Sequence, residues 1–99
     1  MLAELRQRLE ELYGARLVRL VLYGSQARGD ARSSSDVDVL VVLCGRVDPA
    51  TEIARVGPIT ATLSLGAGVV LSCQFVSEER FAAEQSPLLM NVRREGVAI

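Results

Sequence analysis

The stretch "LYGSQARGDARSSSDVDVLVV", Leu22 to Val42, decides how the rest of the 99-residue chain is read. It sets a Gly-Ser pair after one apolar run and an Asp-Val-Asp at the head of another. "RLVRLVLY" (Arg16 to Tyr23) is aliphatic and β-branched, and reads as a first strand that Gly24-Ser25 breaks. "VDVLVVLC" (Val37 to Cys44) reads as a second strand, apolar on both faces and therefore central. Gln26 to Ala31 is expected to form a short helix or turn between them.

Outward from this centre, Leu2, Leu5, Leu9, Leu12 and Tyr13 follow helical spacing and give an amphipathic opening helix that ends near Gly14. Gly45 to Pro49 reads as a turn, with Asp48 capping a helix that Pro49 starts. "ATEIARVGPITATLSLG" begins as a helix, which Gly57-Pro58 should kink or end. Gly66 and Gly68 turn the chain into a third strand, "VVLSCQFV" (Val69 to Val76). Ser77 with Glu78, Glu79 and Arg80 reads as a capped helix start, and Ser86-Pro87 opens another short helix before "VAI". The order helix, strand, short helix, strand, helix, strand, helix predicts one domain over residues 1–99, of α/β or α+β class.

Composition narrows the chemistry. All eleven basic residues are Arg, so a Walker phosphate loop, which needs Lys, is excluded, and without His no imidazole serves as base or metal ligand. A formal charge of −1 gives no electrostatic reason to expect long nucleic acid or an anionic membrane as partner. No apolar run reaches the roughly 20 residues of a membrane span, and the acidic, amphipathic N-terminus does not read as a signal peptide. A cytoplasmic protein is expected, with Cys44 and Cys73 as buried structural thiols.

Side chains alternate on a strand, so Asp36 and Asp38 share a face, with Cα atoms roughly 6–7 Å apart. Two carboxylates this close repel, and desolvation beside Val37, Val39 and Leu40 adds to the cost. A hard, oxygen-preferring divalent cation resolves that conflict. The alternative is a Ser-rich turn ending at Asp36, with Asp38 exposed at the head of the strand. Gly24 allows the backbone to turn sharply and approach a ligand, and Ser25 adds a hydroxyl. The residues that follow can begin a helix whose free N–H groups favour phosphate, and Arg28 offers a planar donor fork. For Arg28 a salt bridge to Asp30 or Asp36 is the structural alternative. Arg28-Gly29-Asp30 spells an adhesion tripeptide, but the surrounding pattern already accounts for it.

"GSQARGDARSSSDVD" fits the pattern GSxARGxxxxxSDxD at Gly24, Ser25, Ala27, Arg28, Gly29, Ser35, Asp36 and Asp38. In this the chain resembles the minimal nucleotidyltransferases of the DNA polymerase β superfamily, short proteins often paired with helical HEPN proteins. The resemblance implies a small mixed sheet backed by helices, the polymerase β-like nucleotidyltransferase fold. It implies that Gly24 and Ser25 hold the triphosphate, with Arg28 neutralising it or fixing the loop. Asp36 and Asp38 would be the catalytic pair and hold Mg2+ (or Mn2+), and a nucleotidyl group, usually AMP from ATP, would pass to an acceptor hydroxyl. The partner implied is a HEPN-like helical protein or a second copy, and the apolar, Arg-flanked tail "SPLLMNVRREGVAI" is a surface for one. The chain departs from the family at one point: active members commonly carry a third carboxylate on a later strand, and "VVLSCQFV" has none. Ser72 and Gln74 share a face there, and the Gln74 amide oxygen could serve as a neutral third ligand but not as a base. A binding module, acting as antitoxin or assembly subunit with little catalysis, is therefore the alternative.

Overall fold

The computed structural model describes residues 1–29 and 36–99. Ser35 of the motif, with Asp30 and Ala31, lies outside the described residues. The elements are α1 (Leu2–Tyr13), β1 (Leu17–Tyr23), α2 (Ser25–Arg28), β2 (Val37–Leu43), α3 (Pro49–Ala67), β3 (Leu71–Ser77), α4 (Glu78–Ala83), α5 (Pro87–Glu95) and β4 (Val97–Ala98). A single 3-10 turn, Gly14–Arg16, joins α1 to β1.

The sheet order is β3-β2-β1-β4. β1 pairs antiparallel with both β2 and β4, and β2 pairs parallel with β3, so the sheet is mixed. A parallel pair needs a long crossover, which α3 supplies. β2 is central and apolar on both faces because both are covered. Val37, Val39, Val41 and Leu43 face Leu5, Leu9 and Tyr13 of α1 and Val56 and Leu63 of α3. Leu40 and Val42 face the other way, packing with Val21, Val76 and, from α5, Leu89 and Val92.

The caps explain where the late elements begin. Ser77 Oγ accepts the Arg80 N–H at 3.2 Å to open α4, and Ser86 Oγ accepts the Leu89 N–H at 3.4 Å to open α5. Asp48 is the N-cap of α3, although its carboxylate accepts from Thr51 Oγ1 (3.0 Å) rather than from the backbone.

Two expectations are corrected. Gly57-Pro58 does not end the helix: α3 continues through it, 19 residues in all. Pro58 removes one N–H and crowds the carbonyl four residues back, at Ala54, but both residues are exposed, so water can serve that carbonyl. Burial of Glu52, Val56 and Leu63 on the opposite face holds the helix together across the defect. The thiols also differ, with Cys44 exposed and only Cys73 partly buried, where burial pushes its thiol up to about 12. The two-residue β4, an addition to the predicted order, pairs Val21 with Ala98 and Leu22 with Val97.

Candidate functional site

The topology brings three chain segments to one place. Because β1 and β2 are antiparallel, the end of β1 meets the beginning of β2, and Tyr23 pairs with Asp38. Because β2 and β3 are parallel, the beginning of β3 lies alongside, and Ser72 pairs with Asp38 from the other side. Asp38 therefore sits mid-row, flanked by a phenol and a hydroxyl on the sheet face that carries Leu40 and Val42.

Gly24 comes next after Tyr23, and its backbone has φ +76°. A Cβ at that position would stand 2.9 Å from Asp38 Oδ2. Both facts require glycine: the positive φ strains any side chain, and the carboxylate occupies the space the side chain would need. The Gly24 backbone and the Asp38 carboxylate thus meet at one corner. After it, Ser25–Arg28 makes a single helical turn, closed by the Arg28 N–H donating to Gly24 O at 3.2 Å.

Electrostatics at this corner are those of an acid held against its preference. Burial pushes the Asp38 carboxyl above its ordinary range, and the neighbouring Asp36 charge pushes it further. Tyr23 is shifted upward too, by burial first and then by Asp38 and Cys73. Asp36 is exposed and precedes β2. Among the described residues no hydrogen bond or ion pair reaches the carboxylate of Asp36 or Asp38. Two carboxylates without a cationic partner among the described residues are chemically suited to a hard divalent cation. Among the described residues, no three acidic, Cys or His side chains cluster in a metal-holding arrangement, so those residues contribute at most this pair of acids.

Arg28 points toward the C-terminal part of the fold, where Nη1 lies 3.4 Å from Glu95 Oε2 of α5. Glu95 was invisible as a partner in sequence, being 67 residues away. Ser72, not Gln74, is level with Asp38; Gln74 is level with Leu40 and exposed. Gln74 and Ser72 do share a face, as alternation requires. Sequence reading passed over Tyr23, although an aromatic residue directly before the Gly-Ser turn was the available signal. Glu78 and Glu79 are in the first turn of α4, where negative charge complements the helix dipole.

The comparisons with known proteins agree with the fold that positions this corner. The family model for "Nucleotidyltransferase domain" matches residues 2–88. A Methanocaldococcus jannaschii protein, named provisionally as a protein adenylyltransferase, is 38% identical over 73 residues, covering 74% of this chain and 67% of its own. A solved structure provisionally described as a minimal nucleotidyltransferase superposes with a TM-score of 0.56 at 31% identity, over 99% of this chain and 95% of the other. A chain from the crystal structure of a toxin-antitoxin with AMP-PNP gives a TM-score of 0.65 at 19% identity, over 99% and 72% of the two chains, a likeness of fold. No helix among the described residues is long and apolar enough to cross a membrane. An Asp pair beside a glycine corner, on a small mixed sheet matched by that family model over most of its length, places this chain in the nucleotidyltransferase domain family.

Proposed function

We propose that this nucleotidyltransferase uses a metal-bound nucleoside triphosphate, with ATP preferred, and passes its nucleotidyl group to an acceptor hydroxyl on a helical partner protein of the HEPN type. The observation that carries this reading is the Gly24–Asp38 corner, where a carboxylate with no donor among the described residues stands against a backbone turn with no side chain. In this reading Asp36 and Asp38 hold Mg2+ or Mn2+, and the donor set fits: two carboxylates, one of them half-buried and short of positive charge. The cation supplies charge neutralisation at the phosphates and a template for in-line attack. Gly24 lets the backbone lie close to the β- and γ-phosphates, and Ser25 offers them its hydroxyl. Arg28 is near enough to exchange Glu95 for a phosphate oxygen, for which its planar fork is suited. The protein adenylyltransferase name of the archaeal relative and the AMP-PNP of the structural neighbour support adenylyl transfer. The toxin-antitoxin origin of that neighbour supports a protein partner.

The test is incubation with labelled ATP, Mg2+ or Mn2+ and the candidate helical partner. Label should appear on the partner with the wild type and disappear with Asp38→Ala. Absence of label with the wild type, or equal label with the variant, defeats the reading.

A second reading rests on Ser72. β3 runs beside Asp38 and presents a hydroxyl there, and no residue of β3 is a carboxylate. Without that acid the chain binds metal-nucleotide but transfers slowly, acting chiefly by holding its partner. Ser72→Asp separates the two: under this second reading it raises the transfer rate about tenfold or more, whereas an already competent site gains nothing.

A further inference from the structure

The exposed edge of the sheet at β3 is the most conspicuous feature left without a role. β3 is the terminal strand in the order β3-β2-β1-β4. Its backbone orientation follows from two hydrogen bonds. The Val37 N–H donates to Val70 O at 2.8 Å, so Val70 turns its peptide groups toward β2, and by alternation so do Ser72, Gln74 and Val76. Leu71, Cys73, Phe75 and Ser77 then turn theirs outward. The Leu71 N–H confirms it, since it donates away from the sheet to Ser64 Oγ of α3 at 3.0 Å. That hydroxyl covers one end of the edge. Cys73 and Phe75, in the middle, have no such cover among the described residues.

Edge strands are ordinarily blunted by charge, proline or a bulge. β3, "LSCQFVS", carries no charge and no proline, and its pairing with β2 runs in unbroken register. Beside it lies a groove of about 250 Å³, walled by the run Leu71 to Phe75 and by Ile53, Val56, Gly57 and Thr60 of α3. Every residue of that lining is uncharged. Ile53 is 51% exposed, and a Cβ at Gly57 would meet nothing within 4 Å, so a second helix could approach α3 closely there.

We infer that β3 pairs antiparallel with β3 of a second copy of this chain, about a two-fold axis at Gln74. The occupant is a second copy because the edge is complementary to itself. An axis at Gln74 sets Cys73 opposite Phe75 of the second copy, and both are outward-turned residues. Each such pair exchanges two backbone hydrogen bonds, and symmetry supplies the pair twice. Gln74 meets its own equivalent, and a side-chain amide both donates and accepts. No charge is brought against its like, as an uncharged lining requires. The two α3 helices then approach through Ile53, Gly57 and Thr60, and an eight-stranded sheet runs through the dimer.

Sedimentation and amide hydrogen exchange on the full chain test this, over roughly a hundredfold range of concentration. The mass should move from 10.7 kDa toward twice that value as concentration rises, while exchange of the Cys73 and Phe75 amides slows in step. Gln74→Lys places two ammonium groups at the axis, and Gly57→Arg fills the helix seam from a position with open space around it. Both variants should stay at 10.7 kDa where the wild type has dimerised, with melting at low concentration no worse than wild type, showing that each still folds. A wild type that remains a single 10.7 kDa species throughout overturns the inference and leaves the edge for an extended segment of another protein. A dimer that survives both substitutions, or forms without slowing those two amides, overturns it as well.

Discussion

Two carboxylates at opposite ends of β2 are treated in opposite ways. Glu52, on α3 near the end of the strand, is 4% exposed and surrounded by partners. Tyr13 Oη donates to its Oε1 at 2.7 Å, Arg55 Nη1 lies 3.6 Å from the same oxygen, and Arg16 Nη1 lies 3.9 Å from Oε2. Arg16 also donates to Cys44 O and Arg46 O at 3.2 and 3.0 Å, and its guanidinium lies over the Tyr13 ring. This network ties α1, α3 and the turn after β2 into one unit. Asp38, at the other end, is only half-buried and yet has no such partner among the described residues. A folded chain that can surround one carboxylate so fully shows what structural use of an acid looks like. On the proposed reading, the acid without a partner among the described residues belongs to a site that a metal-bound nucleotide completes.

Breaking the two ends should therefore have different consequences. Asp38→Ala should reduce nucleotidyl transfer by about a thousandfold or more, read from labelled ATP, because the charge proposed to hold the cation is gone. Its melting temperature should not fall. Glu52→Ala should do the reverse in kind. It leaves the buried Tyr13 hydroxyl without its acceptor and removes the charge beside Arg16 and Arg55, a cost of about 3 kcal/mol, which lowers the melting temperature of a chain this size by about 15 °C. Thermal denaturation followed by circular dichroism checks it, and a fall of only a degree or two would mean that the network is ornamental.

Smaller effects sharpen the contrast. Gly24→Ala forces a strained φ and sets a methyl 2.9 Å from Asp38 Oδ2, so the carboxylate must swing aside. The concentration of nucleotide needed for half-maximal rate should rise about tenfold, with stability falling by about 1 kcal/mol. Smallest of all is Asp38→Asn as a stability probe. The folded-state pKa of Asp38 is raised, so the folded protein binds this proton more readily than the unfolded chain does. Its charged form therefore costs stability at neutral pH, and that cost fades as pH falls through the raised pKa toward the ordinary carboxylate value. The amide variant should be more stable than the wild type at pH 7 and should lose that advantage below that window, in urea titrations run at several pH values.

Much of this was legible in the order of residues, for reasons that can be named. The strand at Val37 was visible because an aliphatic run buried on both faces has no other home than a sheet centre. The Gly24–Asp38 relation was visible as a motif, and the fold supplies its cause, an antiparallel pair that sets Tyr23 against Asp38 and the glycine just beyond. What escaped is tertiary. The partnership of Arg28 with Glu95 spans 67 positions and depends on α5 returning across the sheet. Gly57-Pro58 misled because a local rule about proline ignores the burial that holds α3 on both sides of it. Gln74 and Ser72 could not be ranked without the register of β3 on β2, which alternation leaves undetermined by two residues. The Glu52 network was not anticipated at all, since nothing in "PATEIARVG" announces that its glutamate faces inward beneath Tyr13.

The most direct test of the contrast between the two acids is a Mn2+ titration followed by electron paramagnetic resonance, with and without a non-hydrolysable ATP analogue. Wild type should bind Mn2+ more tightly with the nucleotide present, Asp38→Asn should lose that binding while melting at or above the wild-type temperature, and binding should weaken as pH falls through the raised Asp38 pKa. Mn2+ binding that is indifferent to Asp38→Asn would contradict the account, because the cation would then be held without Asp38.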